Sequence, residues 1–391
     1  MIILFQWTLF RLVTSVFATL ISYNYPLTDL EKAIHLVPIK FLDSYWLERA
    51  WLSPWLRWDA VWYQRIVENG YNAINGTAQF HPLYPAAASI LNALGLHPLL
   101  ALLLVSSASS LAFLFVYNRL AQIDLTGMDA HFSMLMMLLA PAAFVLFAPY
   151  SEALFLLCAA CTFYWARRRR WWLAALAGGL ATLTRQQGLL LLLPIAYEMW
   201  EESSHSWKRV CAGCYKYLSI GVFPLCYALW IGYRSIFIGD TYFTFRSVQQ
   251  FIYSWLISPS AIEVVPQQSF MWPWRAIWLA LQKLILQPDI DIWVNCILAI
   301  VFLIMLGLAW KNMNPTYRIY AILVMLVSFS YYTGPVHPYM GLPRHLLLAF
   351  PVFIYSAPVI NRPILRPIVL TLLGIGYFLQ LFLYCLEAWV A

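Results

Sequence analysis

Long apolar runs follow one another along almost the whole of this 391-residue chain, separated by short basic clusters. About 20 apolar residues cross a bilayer as a helix, and without water only helices or closed barrels satisfy every backbone group. Such runs lie at 3–22, 98–118, 131–148, 150–166, 217–238, 291–310, 317–333, 345–360 and 366–388. Two shorter ones, 171–184 and 188–200, are divided by Arg185-Gln186-Gln187-Gly188. The expectation is an all-α polytopic membrane protein forming one domain over 1–391. It has about 11 transmembrane helices, or 9 plus a re-entrant hairpin. Only 10% of the residues are charged, against about 25% in soluble domains, so a soluble globular fold is excluded.

The basic clusters set the orientation. With the N-terminus cytoplasmic, one side receives Arg119, Arg167 to Arg170, Lys208, Arg209, Lys216, Lys311, Arg318, Arg362 and Arg366. The other receives Tyr150-Ser151-Glu152, the 185–188 turn and the His337–His345 segment. Short-loop basic residues mark the cytoplasmic face, so two long loops, 24–97 and 239–290, lie outside. The net charge of +7 therefore reads as topology and lipid contact, with no nucleic-acid partner. The first span has no basic n-region and carries Arg11 in its middle, which reads as a retained helix and not a cleaved signal.

Within the first outer loop, Ser53-Pro54-Trp55-Leu56-Arg57-Trp58-Asp59-Ala60-Val61-Trp62-Tyr63 places one carboxylate among tryptophans. Tryptophan collects where lipid meets water. Ser53 as N-cap, Pro54 at the first helical position and Asn69-Gly70 as a stop predict one amphipathic helix in the interface. Trp55, Trp58, Trp62 and Ile66 share a face, with Arg57, Val61, Gln64 and Glu68 opposite. Asp59 falls beyond the first turn, near the tryptophan stripe, where a charge is costly unless it is paired or used.

Other charges inside this apolar chain invite the same question. Arg185, between two half-spans, either pairs with Glu152 or Asp59, or binds an anion, since its planar donors suit phosphate. Arg344, at the outer end of a span, either snorkels to water or does the same work. Glu152 opens a span, where a carboxylate also serves the helix dipole. His81, His337 and His345 all fall outside, but no two have ligand spacing on a helix, which argues against a metal site. The CxxC pairs Cys158/Cys161 and Cys211/Cys214 are too far apart for a zinc ribbon and read as small hydrophobes. P-loop, dinucleotide and HExxH motifs are lacking, and no cofactor is expected.

Arg57-Trp58-Asp59-Ala60, then Ile66-Val67-Glu68-Asn69-Gly70-Tyr71 and Phe80-His81-Pro82-Leu83-Tyr84-Pro85, resemble the first outer loop of PIG-V-type mannosyltransferases. These are GPI mannosyltransferase II and its prokaryotic relatives. Ala148-Pro149-Tyr150-Ser151-Glu152-Ala153-Leu154-Phe155, Thr184-Arg185-x-x-Gly188 and Leu342-Pro343-Arg344 continue the likeness in the same order. The resemblance implies a GT-C-class glycosyltransferase. Its donor would be a polyprenyl- or dolichyl-phosphate-mannose and its acceptor a glycolipid, joined by an α-1,6 linkage. The family's acidic residue falls on Asp59 and its recurring charges on Glu152, Arg185 and Arg344. Gln79-Phe80-His81-Pro82 stands where eukaryotic members carry an acidic residue before a Phe-Phe-Pro block, and Gln186-Gln187 replaces a smaller polar pair. Those departures favour a prokaryotic plasma-membrane enzyme with an outer-facing site; a eukaryotic member would face the endoplasmic reticulum lumen.

An inverting transfer needs a base for the acceptor hydroxyl, for which Asp59 is the candidate. It needs donors for the departing phosphate, for which Arg185 and Arg344 are candidates. Arg57, Trp58, Trp62, His81, Tyr84, Glu152, Gln186, Gln187, His337 and His345 are candidates for the substrate site around them, although the aromatics serve equally as interfacial anchors. Two other readings stand beside the enzyme. One is a flippase of lipid-linked sugars gated by an Asp59–Arg185 pair, for which repeat symmetry is missing; the other is a non-catalytic membrane subunit.

Overall fold

The computed structural model describes residues 1–26, 51–74, 76–239, 269–334 and 337–388, so 27–50 and 240–268 in the two outer loops lie outside the described residues. Helix α1 (Ile2–Asn24) is the first span. Helices α2 (Asp59–Asn69) and α3 (Leu83–Ala93) belong to the first outer loop. The 27-residue α4 (Pro98–Asp124) leads into α5 (Gly127–Leu139), whose N-cap Thr126 accepts from the Asp129 N–H. Next come α6 (Glu152–Arg167), α7 (Trp171–Thr184) and α8 (Leu192–Glu202). Two short helices, α9 (Trp207–Ala212) and α10 (Cys214–Tyr217), precede α11 (Val222–Tyr233). The last part holds α12 (Pro273–Leu286), α13 (Ile290–Trp310), α14 (Pro315–Ser330), α15 (Leu342–Leu347), α16 (Pro351–Ile360) and α17 (Leu365–Cys385).

Among the described residues, five helical stretches are long and apolar enough to cross a membrane: Ile2–Asn24, Pro98–Asp124, Cys214–Ile238, Ile292–Trp310 and Leu365–Cys385. Shorter apolar helices pack between them, and the chain is a multi-pass membrane protein. Two of the expected runs are broken by proline. Ala140 is extended before Pro141, so the 131–148 run is α5 followed by a 3₁₀ turn at Pro141–Leu146. The 345–360 run is split between α15 and α16 at Phe350-Pro351. Carbonyls freed by such breaks need partners away from water. Arg11, in the middle of α1, supplies one by donating to the Phe147 carbonyl, with its guanidinium 5.5 Å from the Trp55 ring centre.

Small residues let the helices around the site approach closely. A Cβ on Gly178 of α7 would come within 1.9 Å of the Phe223 ring, and one on Gly179 within 2.8 Å of the Cys226 sulfur, so α11 lies flush on α7. α6 and α7 form a tight antiparallel hairpin closed by Arg168–Arg170, where Arg169 takes φ +58° and Arg170 N–H bonds the Trp165 carbonyl at 2.9 Å. That hairpin puts the N-terminus of α6 beside the C-terminus of α7. Strand β1 (Ser269–Phe270) pairs antiparallel with β2 (Tyr331–Tyr332), which ties the middle of the second outer loop to the segment leading into α15.

The first outer loop departs from the single amphipathic helix expected of it. Ser53–Trp55 is one 3₁₀ turn, and α2 begins only at Asp59 because Trp58 adopts φ +51°. Asp59 is consequently in the first turn of its helix and not beyond it. Nor does α2 lie on the interface with one face open. Ala60, Val61, Tyr63, Gln64, Ile66 and Val67 are all buried, and among the residues assigned to the polar face only Glu68 is exposed.

Candidate active site

Four charged side chains from four distant segments meet where α2, α6, α7 and α15 converge. Asp59 opens α2, Glu152 opens α6, Arg185 follows the last residue of α7 and Arg344 stands in α15. Arg344 Nη1 donates to Asp59 Oδ2 at 2.5 Å and lies 3.6 Å from Glu152 Oε1. Arg185 Nη1 lies 2.7 Å from the same Glu152 oxygen and donates to Ser151 Oγ at 3.1 Å. Glu152 therefore sits between two guanidiniums, and two carboxylates balance two cations. Glu152 is wholly buried, the arginine side chains are 11% exposed, and Asp59 at 24% is the most open member of the cluster.

Local backbone features aim these groups. Gly341 takes φ +66° immediately before α15, and a Cβ there would come 2.7 Å from Arg344 Nε, so glycine leaves room for the guanidinium to turn toward Asp59. Gly188 N–H bonds the Arg185 carbonyl at 2.9 Å, and a Cβ on it would sit 2.3 Å from the Thr182 nitrogen. Only glycine lets the turn after Arg185 fold back on α7. The Arg344 guanidinium also lies 5.3 Å from the Tyr150 ring centre, a favourable cation–π distance. Tyr63, one helical turn after Asp59, is buried beside Ser151; burial pushes its phenol well above the usual range, with Arg185 opposing. Sequence reasoning missed Tyr63, Tyr150 and Ser151 as members of this site. Their signal was adjacency: Tyr63 stands four residues from Asp59, and Tyr150-Ser151 directly precede Glu152.

The mannosyltransferase (PIG-V) family model matches residues 2–248. The chain belongs to the PIG-V mannosyltransferase family. Among solved structures it is similar to ArnT from Cupriavidus metallidurans, crystallised with undecaprenyl phosphate. The TM-score is 0.43 at 13% identity, over 84% of this chain and 66% of that one, so it spans just under two thirds of ArnT. No curated protein matches the chain significantly.

Of the candidate site residues expected from the sequence, Asp59, Glu152, Arg185 and Arg344 come together; several others are occupied elsewhere. Arg57 is buried with its Nε 2.6 Å from Glu387, and it donates to the Ser53 and Leu56 carbonyls. Tyr84 is a core residue whose hydroxyl bonds Ser106 Oγ at 2.8 Å and donates to the Leu102 carbonyl. Trp62 is half-buried against Phe80, with ring centres 6.2 Å apart, and Trp58 is half-buried at the bend before Asp59. His81 is buried and meets the Thr182 carbonyl at 2.7 Å. A carbonyl only accepts, so His81 Nδ1 carries the proton. Burial lowers its pKa to about 4, with Arg185 and Arg234 adding to the fall.

Gln186 is exposed and Gln187 half-buried at the turn after Arg185. His345 is buried next to Arg344, edge-on to Tyr331 at 5.7 Å. His337 lines a different, small cavity with Asn295 and Tyr339. A larger cavity of about 570 Å³ lies at the opposite end of the molecule, lined by Asp124, Thr126, Asp129, Asn314 and Tyr355. Its carboxylates are engaged: Asp124 with Arg167 and Tyr355, Asp129 with Thr126 and Asn361. Among the described residues no three His, Cys, Asp or Glu side chains gather as a metal site.

Proposed function

We propose that this protein moves mannose from a polyprenyl-phosphate-mannose donor to a glycolipid acceptor, forming an α-1,6 linkage with inversion at the anomeric carbon. Asp59 is the base that accepts the acceptor hydroxyl's proton. Arg344 and Arg185 hold the phosphate and stabilise the charge that grows on it as the sugar leaves. The site faces outward, in a prokaryotic plasma membrane. The observation that carries this reading is the gathering of Asp59, Arg344, Glu152 and Arg185 into one contact chain, with its base candidate the most solvent-accessible member.

Family membership supports mannosyl transfer, and the departures in the Gln79–Pro82 block support a prokaryotic glycolipid acceptor over a GPI precursor. Purified protein incubated with polyprenyl-phosphate-mannose and candidate glycolipids, followed by product mass, tests the proposal. A mass gain of one hexose on the acceptor, dependent on the mannosyl donor, is expected. Donor consumption without a glycosylated lipid, or movement of intact donor across a vesicle, would overturn it.

A further inference from the structure

Glu152 has no role in the reaction as drawn above, yet it is the most deeply buried charge of the cluster. Its Oε1 faces both guanidinium groups, at 2.7 Å from Arg185 and 3.6 Å from Arg344. Neither of its oxygens takes an aligned hydrogen bond among the described residues. A buried carboxylate held by charge alone is expensive, which argues against a purely stabilising purpose. Wholly buried behind the arginines, it is also not placed to touch a sugar.

We propose that Glu152 is a positioning residue whose charge sets how tightly Arg185 and Arg344 grip phosphate, so that the product can leave. The inference rests on the mannosyl-transfer reading above. In that reaction the bond between the sugar's anomeric carbon and the phosphate oxygen breaks, and its electron pair stays on the oxygen. A bond forms from the anomeric carbon to the acceptor oxygen, whose proton passes to Asp59. The phosphodiester donor carries one negative charge, and the phosphomonoester product approaches two near neutral pH. Two uncompensated arginines would thus hold product more tightly than donor.

The cluster meets this in step. Before transfer, Asp59 and Glu152 offset both cations. When Asp59 takes the proton, one cation is released as the phosphate gains its second charge. When Asp59 gives the proton to water, the cluster is again neutral and its hold on the product falls. Glu152 keeps this cycle centred on zero.

The test compares binding of farnesyl phosphate, a product mimic, with farnesyl-phosphate-mannose, a donor mimic. Both are measured on detergent-solubilised wild type, Glu152→Gln and Glu152→Asp at pH 5.5 and 7.5, beside steady-state turnover. Expected for Glu152→Gln is product affinity about tenfold tighter and donor affinity about threefold tighter, with kcat and donor KM both reduced. The gain for product is larger at pH 7.5 than at 5.5, because the mimic's second ionisation lies near pH 6. Glu152→Asp draws the charge back from both guanidiniums, and tightens product binding in the same direction by a smaller factor. It decides the matter should the glutamine variant not fold. Product affinity unchanged or weakened in the variant that folds overturns the role assigned to Glu152 and leaves mannosyl transfer standing. Wild type that binds neither mimic and transfers no mannose removes both.

Discussion

Asp59 follows a tryptophan held at φ +51°, ψ −119°, and bonds an arginine 285 residues further along the chain. A bulky residue in that region of backbone space costs about 1–3 kcal/mol and persists where surrounding structure insists on it. Here the bend separates the buried Arg57–Glu387 contact from the start of α2 and points Asp59 toward Arg344. Asp59→Asn keeps the shape and removes the proposed base. Transfer should drop by about 10²- to 10⁴-fold, while the melting temperature in detergent moves by no more than a few degrees because Arg344 keeps Glu152. Normal turnover in Asp59→Asn excludes it as the base. Arg185→Lys should raise donor KM and lower kcat together, since an ammonium cannot bridge two acceptors as a planar guanidinium does; unaltered kinetics would dissociate Arg185 from the phosphate. The four charges were legible in the sequence because charge is rare in so apolar a chain. Their pairing was not, since each partner comes from another segment. Arg57 and Tyr84 looked equally eligible until Glu387 and Ser106 were seen to occupy them.

At the scale of elements, the motif Thr184-Arg185-x-x-Gly188 is a piece of backbone geometry. Sequence reading found the division between two apolar half-runs but not why a glycine closes it. The reason is a backbone-to-backbone approach that no periodicity reports. Gly188→Ala forces a methyl to within 2.3 Å of the Thr182 nitrogen, with nothing flexible to yield. The expected cost is about 3 kcal/mol or more, seen as a large drop in melting temperature together with weakened donor binding. Wild-type stability in that variant would show that the turn is free to move. The helix read over 53–69 failed for a related reason, because good capping signals at Ser53-Pro54 were overridden by the bend at Trp58.

The tie between the first outer loop and the end of α7 is also pH-sensitive. His81 holds the Thr182 carbonyl as a neutral donor, and its folded pKa of about 4 lies below its ordinary value near 6.5. The folded state thus resists a proton that the unfolded chain accepts. The contribution is fully present above about pH 6.5, is lost as pH falls toward 4, and changes no further below. Melting temperature should therefore fall more between pH 7.5 and 5 in wild type than in His81→Gln, whose amide donates to Thr182 without titrating. Parallel curves for the two proteins would rule out this titration.

Across the whole molecule, the two ends of α6 divide the chemistry. Glu152 at one end joins the four-residue cluster, and Arg167, about 23 Å along the helix, pairs with Asp124 at the other. Arg57, just ahead of the proposed base, pairs with Glu387 beyond the end of α17, and the Tyr384 hydroxyl donates to the Trp55 carbonyl at 3.3 Å. The last helix therefore ends on the side where the first outer loop begins. The basic clusters lie at the other end of the molecule, and the proposed orientation makes that side cytoplasmic.

Two exposed thiols test that orientation directly. Cys211 and Cys214 lie among Lys208, Arg209 and Lys216 on the basic side; of the remaining cysteines, Cys158 and Cys385 are buried and Cys161, Cys226 and Cys296 only partly accessible. A membrane-impermeant maleimide added to intact cells should leave Cys211 and Cys214 unmodified, and should label both once the membrane is permeabilised. A cysteine introduced at Gln186, exposed at the cluster's end, should react from outside without permeabilisation. If the pattern is reversed, the arginines and Asp59 face the cytoplasm, and the donor must present its sugar on the inner leaflet. The positive-inside asymmetry would then have been overruled by the two long loops, whose segments can translocate regardless of charge.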